Sequence, residues 1–281
     1  MRITIAQVDA VLGDIDANVA RAERAVAEAT GRSSDLIVFP ELHLTGYSIG
    51  AVDQDLSMRP DDHRLVRLAG RAEAAGLVIG FVEEGRGPHN YNSAAYFGGG
   101  SLVHVHRKLY LPTYKSFEER KHFTPGQSMR AFPTTNGSRM AILVCNDAWQ
   151  PQLAFIATQD GAHILVVPAA SAQSRFPDRY DSRSYWRGIT RFYGRMFQLF
   201  VVFVNRVGVE HGLEFWGGSH VVDPWGNIVA EASKTDEDLL TVDIDLDDVR
   251  RRRRDIPLVK EARLGLIDRE IRRLLDDGGD L

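Results

Sequence analysis

The sequence predicts an α/β fold in which two packed β-sheets of mixed strand direction carry helices on their outer faces. Three observations lead there. Short apolar runs alternate with segments of helical period along most of the chain. Two turns, Gly98-Gly99-Gly100 and Asp223-Pro224-Trp225-Gly226-Asn227, sit between strand-like runs and read as antiparallel hairpins among crossover connections. The count is about eleven strands against about four or five helices, and one open sheet of that size would curl or split.

In order, Ile3 to Val8 is the first strand, and Asp16 caps a helix in which Val19, Ala22, Val26 and Ala29 recur at helical spacing before Gly31 ends it. Leu36 to Phe39 is a short apolar strand closed by Pro40-Glu41-Leu42. A loop with Gly46 and Gly50 then leads to a helix from about Asp62 to Ala75. Leu77 to Glu83 is the next strand, and Asn92 to Phe97 with Ser101 to His106 form the first hairpin. Met140 to Val144 is a continuous apolar run, as in a buried parallel strand, and Pro151 opens a helix that runs to Asp160. A strand from His163 to Val167, a helical stretch from Tyr185 to Gln198 and a strand from Leu199 to Val204 restore the alternation. The second hairpin joins Gly218 to Val222 with Ile228 to Ala232, and Leu239 to Ile244 is the last strand. No repeat, low-complexity tract or linker divides residues 1–281, so one domain is expected, with a C-terminal tail from about residue 246.

At 281 residues and 44% hydrophobic content the chain can bury a large core, and a net charge of -4 gives no footprint for nucleic acid or an anionic membrane. No apolar run approaches the ~20 residues of a membrane helix. A single cysteine excludes an intrachain disulfide, and the N-terminus enters a strand pattern directly, so a cytoplasmic location is expected. Asp243 to Arg254 is not a nucleic-acid arm, because its aspartates offset the arginines. Gly98 to Gly100 lacks the lysine and helix of a phosphate loop, and no H-E-x-x-H spacing occurs; no cofactor or metal is expected.

That one cysteine, Cys145, stands where the apolar strand breaks into a turn before the Pro151 helix, the kind of strand end that opens on a crevice in α/β sheets. On position alone such a cysteine is more often a small core residue than a nucleophile. A nucleophilic thiol needs a base, an oxyanion donor and an orienting group, so its company decides. Glu41 also ends an apolar strand and is a candidate base. Lys108 lies just past the second strand of the hairpin, and Glu118 and Glu119 follow in a charged turn.

Together these pieces read F-P-E-L, R-K-x-x-L-P, F-x-E-x-x-x-F-x-P-G and V-C-x-D-x-W, in that order, followed by Asn205-Arg206-Val207-Gly208 and Phe215-Trp216-Gly217-Gly218-Ser219. This series resembles the nitrilase superfamily of carbon–nitrogen hydrolases over nearly the whole chain. The resemblance implies a four-layer αββα sandwich of two mixed sheets, assembled as a homodimer or larger homo-oligomer. It places the catalytic glutamate, lysine and cysteine at Glu41, Lys108 and Cys145, and a second glutamate at Glu119 rather than Glu118. The Asn146 backbone N–H would join Lys108 at the oxyanion. Tyr47, Trp149 and Trp216 are further candidates for the substrate pocket.

The resemblance also bears on the substrate. Aspartate rather than glutamate two places after the cysteine, here Asp147, favours amides over nitriles. Gln150-Pro151-Gln152 lacks the carboxylate that many carbamoyl hydrolases carry, and Met196-Phe197 replaces a common Glu-Asn pair. The arginines and aromatics of the Ser171 to Arg187 segment would suit an acidic or zwitterionic amide, or merely solvate a loop. The expected function is cleavage of a small non-peptide amide or N-carbamoyl compound through a cysteine thioester. The alternatives are a glutaminase feeding ammonia to a separate synthetase and a non-catalytic binding protein. The tail Ile256 to Leu275, with Leu264, Ile267, Ile271 and Leu274 at helical spacing, is a candidate oligomer contact.

Overall fold

The computed structural model describes residues 1–114, 117–174 and 178–278. The first half contains β1 (Arg2–Gln7), α1 (Ile15–Gly31), β2 (Leu36–Val38), α2 (His63–Arg71), β3 (Gly76–Glu84), β4 (Asn90–Gly98), β5 (Ser101–Arg107) and α3 (Glu119–His122). Next come β6 (Phe132–Pro133), β7 (Arg139–Ile142), α4 (Pro151–Gln159), β8 (Ile164–Ala169), α5 (Ser182–Phe197) and β9 (Phe200–Asn205). The chain closes with β10 (Val207–Glu210), β11 (Leu213–Trp216), β12 (His220–Val222), β13 (Ile228–Glu231), β14 (Asp238–Asp243), α6 (Asp247–Asp255) and α7 (Leu264–Asp276).

Two six-stranded sheets result, ordered β14-β1-β2-β3-β4-β5 and β13-β12-β9-β8-β7-β6, with β10 and β11 as a separate ribbon. Both are mixed. In the first, β1, β2 and β3 run parallel and β4, β5 and β14 pair antiparallel. Strand alternation sends Ile3, Ile5, Leu36, Val38 and Val78 to one face, where they meet Met140, Ile142, Ile164, Val166 and Val202 of the second sheet. The opposite face of the first sheet, with Ile37, Leu77, Ile79 and Phe81, packs on α1 and α2. Leu165, Val201 and Phe203 of the second sheet face α4 and α5 in the same way. The order helix, sheet, sheet, helix is the four-layer sandwich the sequence resemblance implied.

Several local expectations are corrected. Asp14, not Asp16, caps α1, its side chain accepting from the Ala17 N–H. Helix α2 stops at Arg71 rather than Ala75, because Glu73 turns left-handed at φ 55°. The strands β6, β10 and β11 were not foreseen; β10 and β11 are four-residue strands carrying Gly208, Glu210 and Glu214, which blur the alternation that marks a strand. Helix α7 lies on the surface with Leu264, Ile271, Leu274 and Leu275 all exposed. No helix among the described residues is long and apolar enough to cross a membrane.

Candidate active site

The strand ends carry the chemistry to one place. Beyond β2 the chain turns at Phe39-Pro40-Glu41-Leu42, with Leu42 left-handed at φ 50°, and lies so close to β3 that a Cβ on Gly80 would sit 2.5 Å from the Leu42 nitrogen. Glycine at that point of β3 is what lets the Glu41 turn settle. Lys108 follows β5, its backbone N–H donating to the Asn92 carbonyl of β4 and its carbonyl accepting from Gly126 at 2.8 Å. Any side chain on Gly126 would run into the Arg107 backbone, which explains the glycine of the F-x-P-G motif. Beyond β7, Cys145 opens a short 3₁₀ turn that ends at Trp149, and Cys145 itself is left-handed at φ 47°. Non-glycine residues held in that region cost free energy and cluster at functional sites.

Lys108 is fully buried between two carboxylates, its Nζ donating to Glu41 Oε1 and Glu119 Oε1 at 2.7 Å each. Burial alone would disfavour its ammonium, but the neighbouring Glu119 and Glu41 carboxylates hold its pKa well above the ordinary lysine value. Glu41 is held on both oxygens. Asn92 Nδ2 donates to Oε1 at 2.8 Å, and the Ala170 N–H, just past β8, donates to Oε2 at 2.8 Å. Glu119 is held on one: Tyr47 donates its hydroxyl to Oε1 at 2.6 Å, while Oε2 is buried without a partner. Burial pushes the Glu119 carboxyl up to about 7 against the pull of Lys108. Burial also pushes the Cys145 thiol well above its ordinary value, Glu41 adds to the rise, and Lys108 and the Ala170 backbone oppose it. Glu41, Lys108, Glu119 and Cys145 therefore form one electrostatically coupled cluster. Glu118 stands outside it, exposed and paired with Lys121.

The cluster lies under a cavity of about 500 Å³ whose lining includes Tyr47, Tyr114, Phe117, Cys145, Asn146, Trp149, Tyr180 and Trp186. Aromatic rings share its walls with small and polar residues such as Ala170, Ser171 and Ser182. Trp149 stacks on Tyr185 at 5.9 Å and meets Trp186 edge-on at 5.6 Å. Asn146 is the second residue of the 3₁₀ turn, where backbone N–H groups have no partner within the turn and can donate to a ligand. Trp216 is not among the lining residues. It packs on Phe203 and donates Nε1 to Ser171 Oγ at 3.2 Å, so it stands behind a wall residue. Asp147 is also buried and outside the lining.

Two of the arginines expected to read an acidic substrate, Arg183 and Arg187, are engaged elsewhere. Arg183 donates to the Trp216 and Lys234 carbonyls and Arg187 pairs with Glu231, while Arg175 lies outside the described residues. Among the described residues no cluster of histidine, cysteine and carboxylates has the arrangement of a metal site. Sequence reasoning missed Asn92, Ala170, Tyr114 and Phe117, whereas Tyr180 and Trp186 belong to the Ser171 to Arg187 segment whose aromatics were expected near the substrate. Phe117 opens the F-x-E-x-x-x-F-x-P-G motif and Asn92 is a polar residue in a largely buried strand, so both carried a signal; Ala170 acts through its backbone, which no side-chain motif reports.

The family model for carbon-nitrogen hydrolases matches residues 2–254. An (R)-stereoselective amidase from Pseudomonas sp. is 33% identical over 272 residues, 95% of this chain and 93% of that protein. An N-carbamoylputrescine amidase from Arabidopsis thaliana is 30% identical over 265 residues, 89% of this chain and 88% of that protein. The glutamine-dependent NAD(+) synthetase of Thermotoga maritima is 31% identical over 253 residues, 88% of this chain but 42% of that protein, so the chain spans less than half the synthetase's length. Among solved structures, a mutant of the amidase from Nesterenkonia sp. AN1, with the acetamide moiety of fluoroacetamide added covalently at its active-site cysteine, is similar with a TM-score of 0.79. Its identity is 26%, covering 96% of each chain. A two-sheet sandwich with Glu41, Lys108 and Cys145 gathered at its strand ends, matched by the family model from residue 2 to residue 254, belongs to the carbon-nitrogen hydrolase family.

Proposed function

We propose that the chain is an amidase that cleaves the C–N bond of a small non-peptide amide or N-carbamoyl compound through a thioester on Cys145. Glu41 takes the thiol proton as sulfur attacks the carbonyl carbon, and the Lys108 ammonium with the Asn146 N–H stabilises the oxyanion. Collapse breaks the C–N bond, Glu41 passes its proton to the departing nitrogen, and ammonia or an amine leaves. Glu41 then takes a proton from water, hydroxide attacks the thioester, and the proton returns to sulfur. Glu119 holds Lys108 in place.

The observation that carries this reading is the fully buried Lys108 ammonium bridging Glu41 and Glu119 beside a left-handed cysteine at the floor of a cavity. The Nesterenkonia amidase, with its covalent adduct at the active-site cysteine, supports the nucleophile. Rapid quench with a turned-over amide, followed by mass spectrometry, should show the acyl mass on Cys145. Cys145→Ala should bind substrate with turnover lowered by several orders of magnitude. Near-normal ammonia release from that variant would sink the mechanism, and binding without release across a broad panel would favour a non-catalytic binding protein.

The similarity to the NAD(+) synthetase favours a second reading, glutamine as the substrate with ammonia passed to a separate synthetase. Ammonia release from glutamine above that from other amides would select it. We also infer a homodimer or larger assembly, in which a second copy covers the exposed apolar residues of α7. Light scattering at micromolar concentration should then exceed the 31.4 kDa of one chain.

A further inference from the structure

We propose that Asp147 and His106 are positioning residues that fix Lys108 at its working distance from Cys145 without touching the substrate. The proposal rests on the hydrolase reading above for the meaning of that distance. Asp147 is fully buried and His106 nearly so, and neither lines the cavity. One carboxylate nevertheless holds the chain on both sides of Lys108, by a side chain before it and by backbone after it. His106 Nε2, two residues before it, donates to Asp147 Oδ2 at 2.9 Å. The backbone N–H groups of Leu109 and Tyr110, the two residues after it, donate to Oδ1 at 2.9 and 2.8 Å.

The same carboxylate holds the nucleophile's own turn. The Val144 N–H, immediately before Cys145, donates to Oδ2 at 3.2 Å, and the Asp147 N–H closes back on the Val144 carbonyl at 3.1 Å. Four donors fill the four acceptor positions of one carboxylate. Lys108 follows a strand of the first sheet and Cys145 a strand of the second, so this clamp is a polar tie between the sheets at the site. Its length is set by one aspartate side chain.

A longer side chain should therefore change the chemistry rather than the fold. Asp147→Glu adds one methylene, about 1.5 Å, between the Cys145 turn and the segment carrying Lys108. Misplacement on the order of 1 Å can cost about 10²-fold in rate. The probe is iodoacetamide, and because Cys145 is the only cysteine in the sequence its alkylation reads one thiol. This readout needs no substrate, so it stands even if the amide reading fails.

In Asp147→Glu, alkylation of Cys145 should shift to higher pH as Lys108 recedes, and kcat on an amide should fall about 10²-fold with KM changed less than about threefold. His106→Ala should shift the alkylation profile in the same direction, and His106→Gln, which can still donate to Asp147, should restore most of it. An Asp147→Glu enzyme with the wild-type alkylation profile overturns the proposal, as does a loss expressed in KM alone, which would place Asp147 against the substrate. Should Asp147→Glu fail to fold, the two His106 variants decide: profiles matching wild type overturn the proposal, and a shift in Ala rescued in Gln supports it.

Discussion

Each sheet has three parallel strands at its centre, β1-β2-β3 in one and β7-β8-β9 in the other, with a single antiparallel strand on one flank and a hairpin on the other. Equivalent strand ends carry different chemistry. Past β2, the central strand of the first trio, stands Glu41; past β8, its counterpart, stands Ala170, whose backbone N–H donates to Glu41 Oε2 at 2.8 Å. Past β7 comes Cys145, whereas β1 ends in Gln7, which bonds the Ser233 and Asp236 carbonyls and the Ser219 N–H as a structural tie. Past β5 comes Lys108, whereas the chain beyond β13 supplies Ser233 as a partner for Gln7.

Around Lys108 the first half of the chain thus contributes the charged groups, and the second contributes the thiol and the Ala170 backbone donor. The shared frame brings both sets of strand ends to one place, and the side chains then divide the labour. A carboxylate and an ammonium from one sheet can act on a thiol from the other only while the two sheets stay in register. The Asp147 clamp and the Ala170 bond are ties between the sheets that would keep them so.

After loss of the thiol itself, removing the charge contributed by the first half should have the largest effect. Lys108→Ala deletes a proposed oxyanion donor and should lower kcat by roughly 10²–10³-fold. It also leaves the Glu41 and Glu119 carboxylates buried without their cation, so the variant should be less stable than wild type at neutral pH and above. Equal stability of Lys108→Ala and wild type at high pH would contradict the first half's role as a charge cluster.

A smaller and pH-dependent effect is expected at Glu119. Its carboxyl is raised to about 7 from an ordinary 4.5, so the folded state keeps a proton that the unfolded chain has lost. Stability from this group is therefore highest below about 4.5, falls as pH rises to about 7, and stays low above it. Glu119→Gln resembles the protonated acid and cannot titrate. Its stability relative to wild type should rise across that window, by up to on the order of 3 kcal/mol. Urea unfolding of both proteins at a series of pH values checks this, and a difference independent of pH would show that Glu119 ionises normally.

Much of this was legible in the chain because it is local. The apolar run from Met140 reads as an inner strand, Pro151 suits the first turn of a helix, and the glycines at 98 to 100 turn a hairpin. The motifs around Glu41, Lys108, Glu119 and Cys145 are similarly local, and their order carried the family resemblance. What tertiary structure alone decided is which groups meet. Glu118 and Glu119 are adjacent in sequence, yet only Glu119 reaches Lys108, because the turn at α3 points one inward and leaves the other in solvent. Trp149 lines the cavity and Trp216 stands behind it, although both looked alike as pocket aromatics. Asp147 gathers backbone from a strand end about forty residues earlier, and Ala170 contributes a bare N–H. Sequence pattern reports side-chain type and local period, whereas these contacts join distant strand ends through backbone donors that every residue but proline carries, so only the packing of one sheet on the other could select them.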